Sequence, residues 1–530
     1  KFNSKFWQYF PLDSIEAPDQ TKFKVLYNNE NLYVLVVSNF DDNEFVVSSL
    51  KRDWSSRDND SVTIVLDTFN DATNAFLFGI SAEGVRREGL ISNGGNGSGS
   101  SRGFSFSWDV KWEGEISKNE NILIAEFKIP LASLRYNDKS DKWRINIYKT
   151  DVGKNKRSTW ARIPRNLSIA GLAFMGDLFF EKPLGKSKTP FFLIPYTSGT
   201  QGTNFEENKV VSFFDLGIDS KLSLGSGLIL DLTLNPDFSQ VEVDDQIINL
   251  SRFEVRLPEK RQFFLQNSDL FSSFGSSYSA QPFFSRRIGV AKDINGNTIQ
   301  NKIISGARLS GKINKNLRLG ILNMVTDSDA KNKISSNNNT VIAIQQKMFS
   351  RSFLGAFFVN RQKIGNEEFE NDQKEYNRVL GLDYNLQSKN NNWVGKLWYH
   401  KSFETDNSEN NFSNGFRLTY NSRKNNFRLF TGQKSENFRS DLGFIQRTGV
   451  KSYFASYGHR LWIDSKSVRS IELSQQIYFV DKPKLFNLVT DRNYETKSEI
   501  SFTNQSKFEI SYNRRYTYLL DSFDPIGGDN

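Results

Sequence analysis

Apolar and polar residues alternate along most of the chain after residue 190. Leucine occupies every second position of Leu228–Leu234, with Ile, Asp and Thr between, and residues 380–386 and 508–513 alternate in the same way. A period of two places the apolar residues on one face of a β-strand and the polar residues on the other. The pattern predicts a long series of strands with one apolar face and one wet face.

The turns between these predicted strands alternate between short and long. Short turns lie at 225–227, 314–316, 390–392 and 425–426, and longer polar loops lie at 365–376 and 404–411. Outer-membrane β-barrels combine short periplasmic turns with longer external loops. The fixed repeat period of a soluble solenoid or propeller is missing, so the pattern favours a transmembrane antiparallel β-barrel. Its outward-facing residues are predicted to include Leu380, Leu382, Tyr384 and Phe508.

The number of predicted strands bears on barrel closure. Roughly fifteen strand-like runs follow Phe191, whereas single-chain bacterial barrels usually have an even number of strands. An open sheet edge in lipid leaves backbone groups without partners. We therefore expect this sequence to be truncated before the barrel closes, with further strands following Asn530 in the natural product.

Residues 1–185 follow another pattern. Short runs at 32–37, 62–66 and 122–127 are rich in β-branched and aromatic residues and are separated by Asn, Asp and Gly. Helical periodicity is scarce, so a β-sandwich is the simplest arrangement. Prolines, a glycine and lysines at 182–190 break the pattern. The prediction is an all-β protein with a sandwich over 1–185 and a barrel over 186–530.

Residues 235–287 interrupt the strand pattern near the start of the predicted barrel. The segment is too long and too polar for a simple turn, and its charges would be costly against lipid. It is therefore predicted to be a lumenal or loop insertion that either gates a substrate path or braces the wall through salt bridges. The predicted lumenal charged cluster consists of Arg252, Lys260, Arg261, Arg286, Arg287 and Glu259.

The composition agrees with a barrel that has a wet interior. Aromatic residues make up 14% of the chain, yet only 37% of residues are hydrophobic and the mean hydropathy is −0.53. In a barrel only alternate residues face lipid, which gives this combination. The sequence contains no apolar run of about 18 residues, so a membrane-spanning helix is not predicted.

Several kinds of chemistry are disfavoured. The chain has no Cys and two His, which removes thiolate chemistry and leaves too few imidazoles for most zinc sites or a Ser-His-Asp triad. The acidic residues lack a recognisable glycosidase context, so no enzyme activity is predicted. The net charge of +9 is spread along the chain without a basic helix, which favours a contact with anionic outer-membrane lipid over nucleic acid.

Tryptophans in the first domain are the predicted sugar contacts. An indole offers a flat apolar face to a pyranose ring, while neighbouring polar groups take its hydroxyls. Trp54 lies in a polar loop beside Arg57 and Asp58, and Trp108 follows a glycine-rich loop. These four residues are the predicted carbohydrate site, with an exposed indole at Trp54; the alternative is that both rings belong to the sandwich core.

Calcium is the one cofactor that this domain could hold. Asp58, Asp60 and Asp67 could supply oxygen ligands, although an Asp-x-Asp-x-Asp-Gly loop is missing. No other cofactor is predicted.

The first domain resembles family 9 carbohydrate-binding modules. The resemblance rests on the order of the runs 27–34, 60–68, 126–131 and 143–146, with Gly84 and Trp108 between them. It implies a β-sandwich that grips sugars between aromatic rings, in some members with structural calcium.

The central segment extends the resemblance to the whole chain. The runs 235–242, 258–261, 263–265 and 283–289 are similar to an uncharacterised family of Gram-negative outer-membrane β-barrel proteins with an N-terminal domain of this kind. The resemblance implies an outer-membrane protein with a periplasmic sugar-binding domain that binds or takes up saccharides or related nutrients. The alternative is a structural accessory subunit of an outer-membrane assembly or secretion complex, which would contact other outer-membrane proteins.

Overall fold

The computed structural model describes most of the chain. The described ranges are 2–13, 15–40, 45–95, 103–185, 191–204, 209–236, 248–249, 253–276, 280–365, 375–405, 409–485 and 487–519. Arg252 of the predicted charged cluster lies outside them. No helix in these ranges is long and apolar enough to cross a membrane.

The first domain is a two-layer β-sandwich. Its strands are β1 (Trp7–Phe10), β2 (Thr21–Tyr27), β3 (Asn31–Asn39), β4 (Ser61–Asp67), β5 (Ala75–Ser81), β6 (Arg86–Ile91), β7 (Phe104–Ser105), β8 (Glu113–Asn119), β9 (Ile122–Pro130), β10 (Lys142–Asp151), β11 (Lys156–Thr159) and β12 (Gly176–Phe179). One sheet has the order β1-β11-β10-β4-β5-β6-β7, with β12 also paired to β10, and the other has the order β2-β3-β9-β8. Single turns of 3-10 helix lie at Asn93–Gly95, Leu131–Ser133 and Leu172–Phe174.

The larger sheet of the sandwich is covered on both faces. One face meets the smaller sheet in a core that includes Phe78, Phe127 and Trp143. The other face packs Leu77 and Tyr148 against the loop at 169–175. Every residue of β4 and β5 is consequently buried.

The second part of the chain is dominated by one antiparallel sheet. Its fifteen strands are β13 (Phe191–Asn204), β14 (Lys209–Leu224), β15 (Leu228–Leu234), β19 (Ile303–Lys312), β20 (Leu317–Thr326), β21 (Asn337–Met348), β22 (Ser352–Lys363), β23 (Tyr376–Gln387), β24 (Trp393–Glu404), β25 (Phe412–Asn421), β26 (Asn425–Lys434), β28 (Val450–Trp462), β29 (Val468–Lys482), β30 (Leu488–Phe502) and β31 (Lys507–Thr517). They pair in chain order, as expected for a barrel wall, and within the described residues β13 and β31 each pair on one side only. The short strands β16 (Ala280–Gln281) and β27 (Phe444–Ile445) pair with each other, as do β17 (Val290–Lys292) and β18 (Thr298–Gln300).

The two faces of this sheet differ as the alternation predicted. Leu380, Leu382 and Phe508 are 48%, 57% and 53% exposed on the outer face. Tyr384 shares that face at intermediate burial. Asp383, one position away, is fully buried on the inner face. The predicted outward orientation is therefore confirmed.

Arginine at position 382 tests whether this outer face meets lipid. A cation near the bilayer midplane costs about 2–4 kcal/mol in a transmembrane β-barrel. We expect Leu382→Arg to reduce the membrane-inserted fraction in a vesicle-insertion assay, whereas Arg378→Gln, on the same face near the strand end, should insert normally. Equal insertion of Leu382→Arg and wild type would contradict a lipid-facing position.

The segment between β15 and β19 lies against the inner face of the sheet. It contains the short helices α1 (Gln262–Leu265) and α2 (Ser268–Ser272) and a 3-10 turn at Ser285–Arg287; a further 3-10 turn lies at Pro483–Leu485. Phe271 and Phe274 of this segment join an apolar cluster with Met324, Val341 and Phe357 of the sheet. The same segment reaches Lys221 on β14 and Lys396 on β24, so the sheet curves around it.

The sandwich docks against the end of the sheet that carries the short turns. Lys312 pairs with Asp71 of the sandwich. Arg351, in the turn between β21 and β22, donates to the carbonyl of Ala72 at 3.3 Å. Asn166 and Asn421 exchange two hydrogen bonds of 3.2 Å and 2.7 Å. The outer face of the larger sandwich sheet thereby faces the lumen.

Candidate functional site

A cavity of about 1100 Å³ lies between the sandwich and the inner face of the large sheet. The sandwich contributes the loop 53–57, strands β5, β6, β10 and β11, and the loop 166–170. The large sheet contributes the ends of β24, β25 and β26 nearest the short turns and the middle parts of β28, β29 and β30. The cavity thus forms only when the sandwich is docked.

The sandwich side of the cavity is organised around Arg87. Its guanidinium donates to the Tyr148 hydroxyl at 3.0 Å and to the Trp54 carbonyl at 3.3 Å. Tyr148 is on β10, so the side chain of Arg87 crosses β5 and β4 to reach it. Gly79 of β5 makes room, since a Cβ there would lie 3.5 Å from Arg87 Nε and 2.9 Å from the Thr63 hydroxyl.

Aromatic rings hold the Arg87 guanidinium from two directions. It lies 4.4 Å from the ring centroid of Trp54 and 5.2 Å from that of Phe106. Such cation–π contacts stabilise a desolvated guanidinium. Arg87 is only 1% exposed, so the rings and the two acceptors form most of its environment.

The barrel side of the cavity consists of two neighbouring rows of side chains that cross the strands. The first row runs Arg417, Phe430, Phe454, Tyr478 and Asn493. The second row runs Thr419, Arg428, Ser456, Gln476 and Glu495. Ser456 and Glu495 of this row lie outside the lining of the cavity. Each row takes one residue from each successive strand. All residues of a row point to the same face, because directly paired residues lie on the same side of a sheet. Rings, guanidiniums and amides therefore converge on the lumen.

The carboxylates of Asp53 and Glu88 form hydrogen bonds or ion pairs with other groups of the sandwich. Asp53 accepts the backbone N–H of Glu88 at 3.2 Å. Burial raises the pKa of Asp53, and that N–H together with the Arg52 guanidinium partly offsets the rise. Glu88 is fully buried on the core side of β6, where it pairs with Arg52 and accepts from Trp112 Nε1 at 3.0 Å.

Glu88 makes the stability of the sandwich pH-dependent. Burial, and then the hydrogen bond with Asp109, raise its pKa from 4.5 to about 7. The folded state therefore holds this proton more tightly than the unfolded chain, and the free energy of unfolding should fall as the pH rises from 4.5 towards 7. Glu88→Gln, which stays neutral, should flatten this dependence.

Denaturation of the full chain in detergent at about pH 5 and about pH 8 measures this effect. Tryptophan fluorescence reports on the sandwich, because six of the nine tryptophans precede residue 185. Identical pH dependence in wild type and Glu88→Gln would contradict the assignment.

The structure brings together two of the four predicted carbohydrate-site residues. Trp54 and Arg57 line the cavity. The expectation of an exposed indole at Trp54 is wrong, because Arg87 covers the ring and leaves it 3% exposed. Asp58 lies outside the lining and accepts the backbone N–H of Ser55 at 3.2 Å.

Trp108 lies away from the cavity. Its ring is 5.4 Å from Phe76 and 6.2 Å from Phe78 in the sandwich core, and it is 5% exposed. A ring packed between two sheets offers no face to a sugar, so the expectation for Trp108 is corrected to a core position.

The aspartates considered for calcium do not converge. Asp60 accepts the backbone N–H groups of Val46 at 2.8 Å and Val152 at 2.6 Å. Asp67 accepts the N–H of Ala72 at 2.7 Å. Across the described ranges, no three acidic or imidazole side chains cluster as a metal site would require. These residues do not fit calcium, and we derive no role for it.

The predicted lumenal charged cluster ties two parts of the inserted segment together. Arg261 pairs with Glu259 at 2.7 Å and donates to the carbonyls of Ser285 at 2.7 Å and Ile288 at 2.9 Å. Arg286 donates to the Pro258 carbonyl at 2.7 Å, and Arg287 pairs with Glu254 at 2.6 Å. Lys260 is half-buried in the same segment. These contacts fit the bracing role better than a gate.

Sequence reasoning missed the barrel half of the cavity. Arg428, Phe430, Phe454 and Tyr478 all lie on the inner face of the large sheet, on strands β26, β28 and β29. The sequence contains a sign of this role for Phe430, Phe454 and Tyr478, because a large ring on the lumenal face of a strand must pack against something other than lipid. The convergence itself depends on strand register, which the sequence does not state.

Comparisons with known proteins place the second part of the chain in a family. The model of a domain of unknown function, DUF5916, matches residues 188–527, which include the inserted segment and all fifteen strands of the large sheet. A comparison with curated protein sequences gives no match.

Solved structures similar to this chain come from two groups. A family 9 carbohydrate-binding module from Caldicellulosiruptor kristjanssonii in complex with glucose is 14% identical, with 36% of this chain and 86% of that chain covered and a TM-score of 0.24. OccAB2 from Acinetobacter baumannii and OpdL from Pseudomonas aeruginosa are each 10% identical, with 87% of this chain and 94% of those chains covered and TM-scores of 0.28. The family match spans more than half of the sequence, and the chain therefore belongs to the DUF5916 family.

Proposed function

We propose that this protein is an outer-membrane β-barrel protein that binds a saccharide between its sandwich domain and its lumen, as a step in nutrient capture or uptake. The cavity between the two parts is the observation that carries the proposal. Its volume of about 1100 Å³ suits an oligosaccharide. The proposal assigns binding and no catalysis.

The lining has the chemistry that sugars require. Rings supply flat apolar faces for C–H groups, and amides take hydroxyls. The lining rings are Tyr9, Trp54, Phe104, Phe106, Tyr148, Phe430, Phe454 and Tyr478, and the lining amides are Asn166, Asn391, Asn392, Asn421, Gln476 and Asn493. Tyr478, which is 37% exposed, replaces Trp54 as the ring that a sugar would stack on.

The short turns support a periplasmic position for the sandwich. In outer-membrane barrels the short turns face the periplasm. The sandwich docks at that end of the sheet, so a solute in the cavity would lie between the lumen and the periplasm.

A glycan array with the detergent-solubilised full chain tests the proposal. We expect a defined class of saccharide to bind and Tyr478→Ala to weaken that binding by about 1–3 kcal/mol, the usual effect of losing one aromatic anchor. Tyr494→Ala is the matched control, because Tyr494 is 38% exposed on the outer face of the adjacent strand. Stoichiometric co-purification of other outer-membrane proteins without saccharide binding would favour the accessory-subunit alternative instead.

A further inference from the structure

The cavity between the sandwich and the lumen is strongly cationic. Five arginines line it, namely Arg57, Arg87, Arg157, Arg417 and Arg428, whereas Asp53 is the single carboxylate in the described lining. Within the described lining, five positive charges and one negative charge leave an excess of four positive charges. A cavity lined for neutral sugars alone does not need such an excess, because amides and hydroxyls satisfy sugar hydroxyls equally well.

Burial makes this excess costly. A desolvated charge is tolerated when it is paired or hydrogen-bonded. Arg87 is 1% exposed, and its Nε has no hydrogen-bond partner among the described residues. Its acceptors are a carbonyl and a hydroxyl, which are neutral. Asp53, the carboxylate of the lining, interacts with Arg87 electrostatically and also accepts the backbone N–H of Glu88.

Like charges also approach each other on the sandwich side. Burial lowers the pKa of Arg157, and the positive charge of Arg57 contributes to the decrease. The Arg157 guanidinium lies 5.3 Å from the ring centroid of Phe10. Within the described residues we find no carboxylate at ion-pair distance from either arginine. An anion in the cavity would relieve this repulsion.

The barrel side presents a guanidinium next to a ring. Arg428 Nε donates to the Ser456 hydroxyl at 3.2 Å, and its guanidinium lies 5.5 Å from the ring centroid of Phe454. The neighbouring row carries Tyr478 beside Phe454. An arginine fork binds a carboxylate or a sulfate in bidentate fashion while a ring carries the sugar face.

We infer that the saccharide is anionic, with carboxylate or sulfate groups that pair with the arginines of this cavity. The inference rests on the proposed function and specifies its ligand class. The hydroxyls of a neutral sugar could accept hydrogen bonds from the guanidiniums but would leave their charge uncompensated, whereas an acidic sugar would also neutralise part of the excess of four positive charges.

Matched pairs of acidic and neutral glycans distinguish saccharide binding in general from a preference for anionic saccharides. The full chain in detergent is titrated with oligogalacturonates and their methyl esters, and with sulfated galactans and their desulfated forms. We expect the acidic member of at least one pair to bind about tenfold more tightly than its neutral partner, with the difference shrinking between about 50 mM and about 500 mM salt. The pair that shows the difference identifies carboxylate or sulfate as the recognised group.

Other outcomes are equally decisive. Equal binding of the acidic and neutral members would overturn the inference and leave saccharide binding intact. Binding of no glycan would overturn the proposed function and the inference together. Inorganic sulfate that competes at the affinity of the acidic glycan would also overturn the inference, because the sugar would then contribute nothing.

Charge-removing variants locate the effect. Arg428→Gln should weaken the acidic glycan about tenfold and leave its neutral partner unchanged, and Arg428→Lys should recover part of the loss. Arg157→Gln tests the sandwich side in the same way. Arg378→Gln is the control, because Arg378 lies on the outer face and donates to Asn360 at 3.1 Å. A folded Arg428→Gln and a folded Arg157→Gln that both retain wild-type affinity would overturn the inference.

Discussion

Replacing Asp383 with alanine is expected to release residues 262–276 from the inner face of the sheet and to lower the free energy of unfolding by about 3–5 kcal/mol. Asp383 is fully buried, forms an ion pair with Lys396 Nζ at 2.9 Å and is hydrogen-bonded to His400 Nε2 at 2.6 Å. It also accepts the backbone N–H of Gly275 at 2.8 Å. Alanine would leave the Lys396 charge buried without its counter-ion. Removing one partner of a buried ion pair lowers the free energy of unfolding strongly, because the remaining charge is uncompensated.

Lys396 also holds the inserted segment through the carbonyl of Ser273. Asp383→Ala should therefore speed hydrogen exchange in α2 and expose residues 262–276 to protease in the detergent-solubilised protein. The double variant Asp383→Ala, Lys396→Met removes both charges and should recover part of the lost stability. Wild-type exchange rates in α2 of the single variant would show that the apolar cluster around Phe271 and Phe274 holds the segment without the Asp383–Lys396 ion pair.

The large sheet could be predicted from the sequence because its signal is local. In Leu228–Leu234 the alternation alone defines the two faces, and Asp231 in its centre already indicates the wet side. The structure places Asp231 against Arg308 at 2.7 Å, on a strand 77 residues later. The period of two predicts the face on which Asp231 lies. It does not predict Arg308 as its partner, because β15 pairs with β19 and the whole inserted segment lies between these strands in the sequence.

The candidate site depends on contacts between residues that are far apart in the sequence. The polarity of the loop 51–58 correctly indicated that Trp54 lies near charged groups. Its burial depends on Arg87, which reaches across two strands because Gly79 leaves space. Likewise Arg428 and Tyr478 line the same cavity because of two register relations, from β26 to β28 and from β28 to β29. Loop polarity cannot reveal contacts that strand register creates.

Truncating Trp54 is expected to destabilise the sandwich rather than remove a sugar platform. The ring is 3% exposed, its Nε1 donates to the Val85 carbonyl at 3.1 Å, and the Arg87 guanidinium lies 4.4 Å from its centroid. Trp54→Ala creates a cavity, for which the usual cost is about 3–5 kcal/mol. It also withdraws the aromatic face from a buried charge, which adds to the loss.

Trp54→Phe separates the two contributions. Phenylalanine keeps a ring beside Arg87 but loses the hydrogen bond to Val85, which costs about 0.5–1.5 kcal/mol, and part of the buried volume of the indole. Chemical denaturation of the full chain, followed by hydrogen exchange in β6, should rank wild type above Trp54→Phe and Trp54→Phe above Trp54→Ala. Trp393→Ala is the control, since Trp393 is 41% exposed in the large sheet and should leave exchange in β6 unchanged. If Trp54→Ala retained wild-type stability and lost only ligand affinity, the ring would be a direct sugar contact, and the cation–π contact with Arg87 would contribute little to holding the cavity wall.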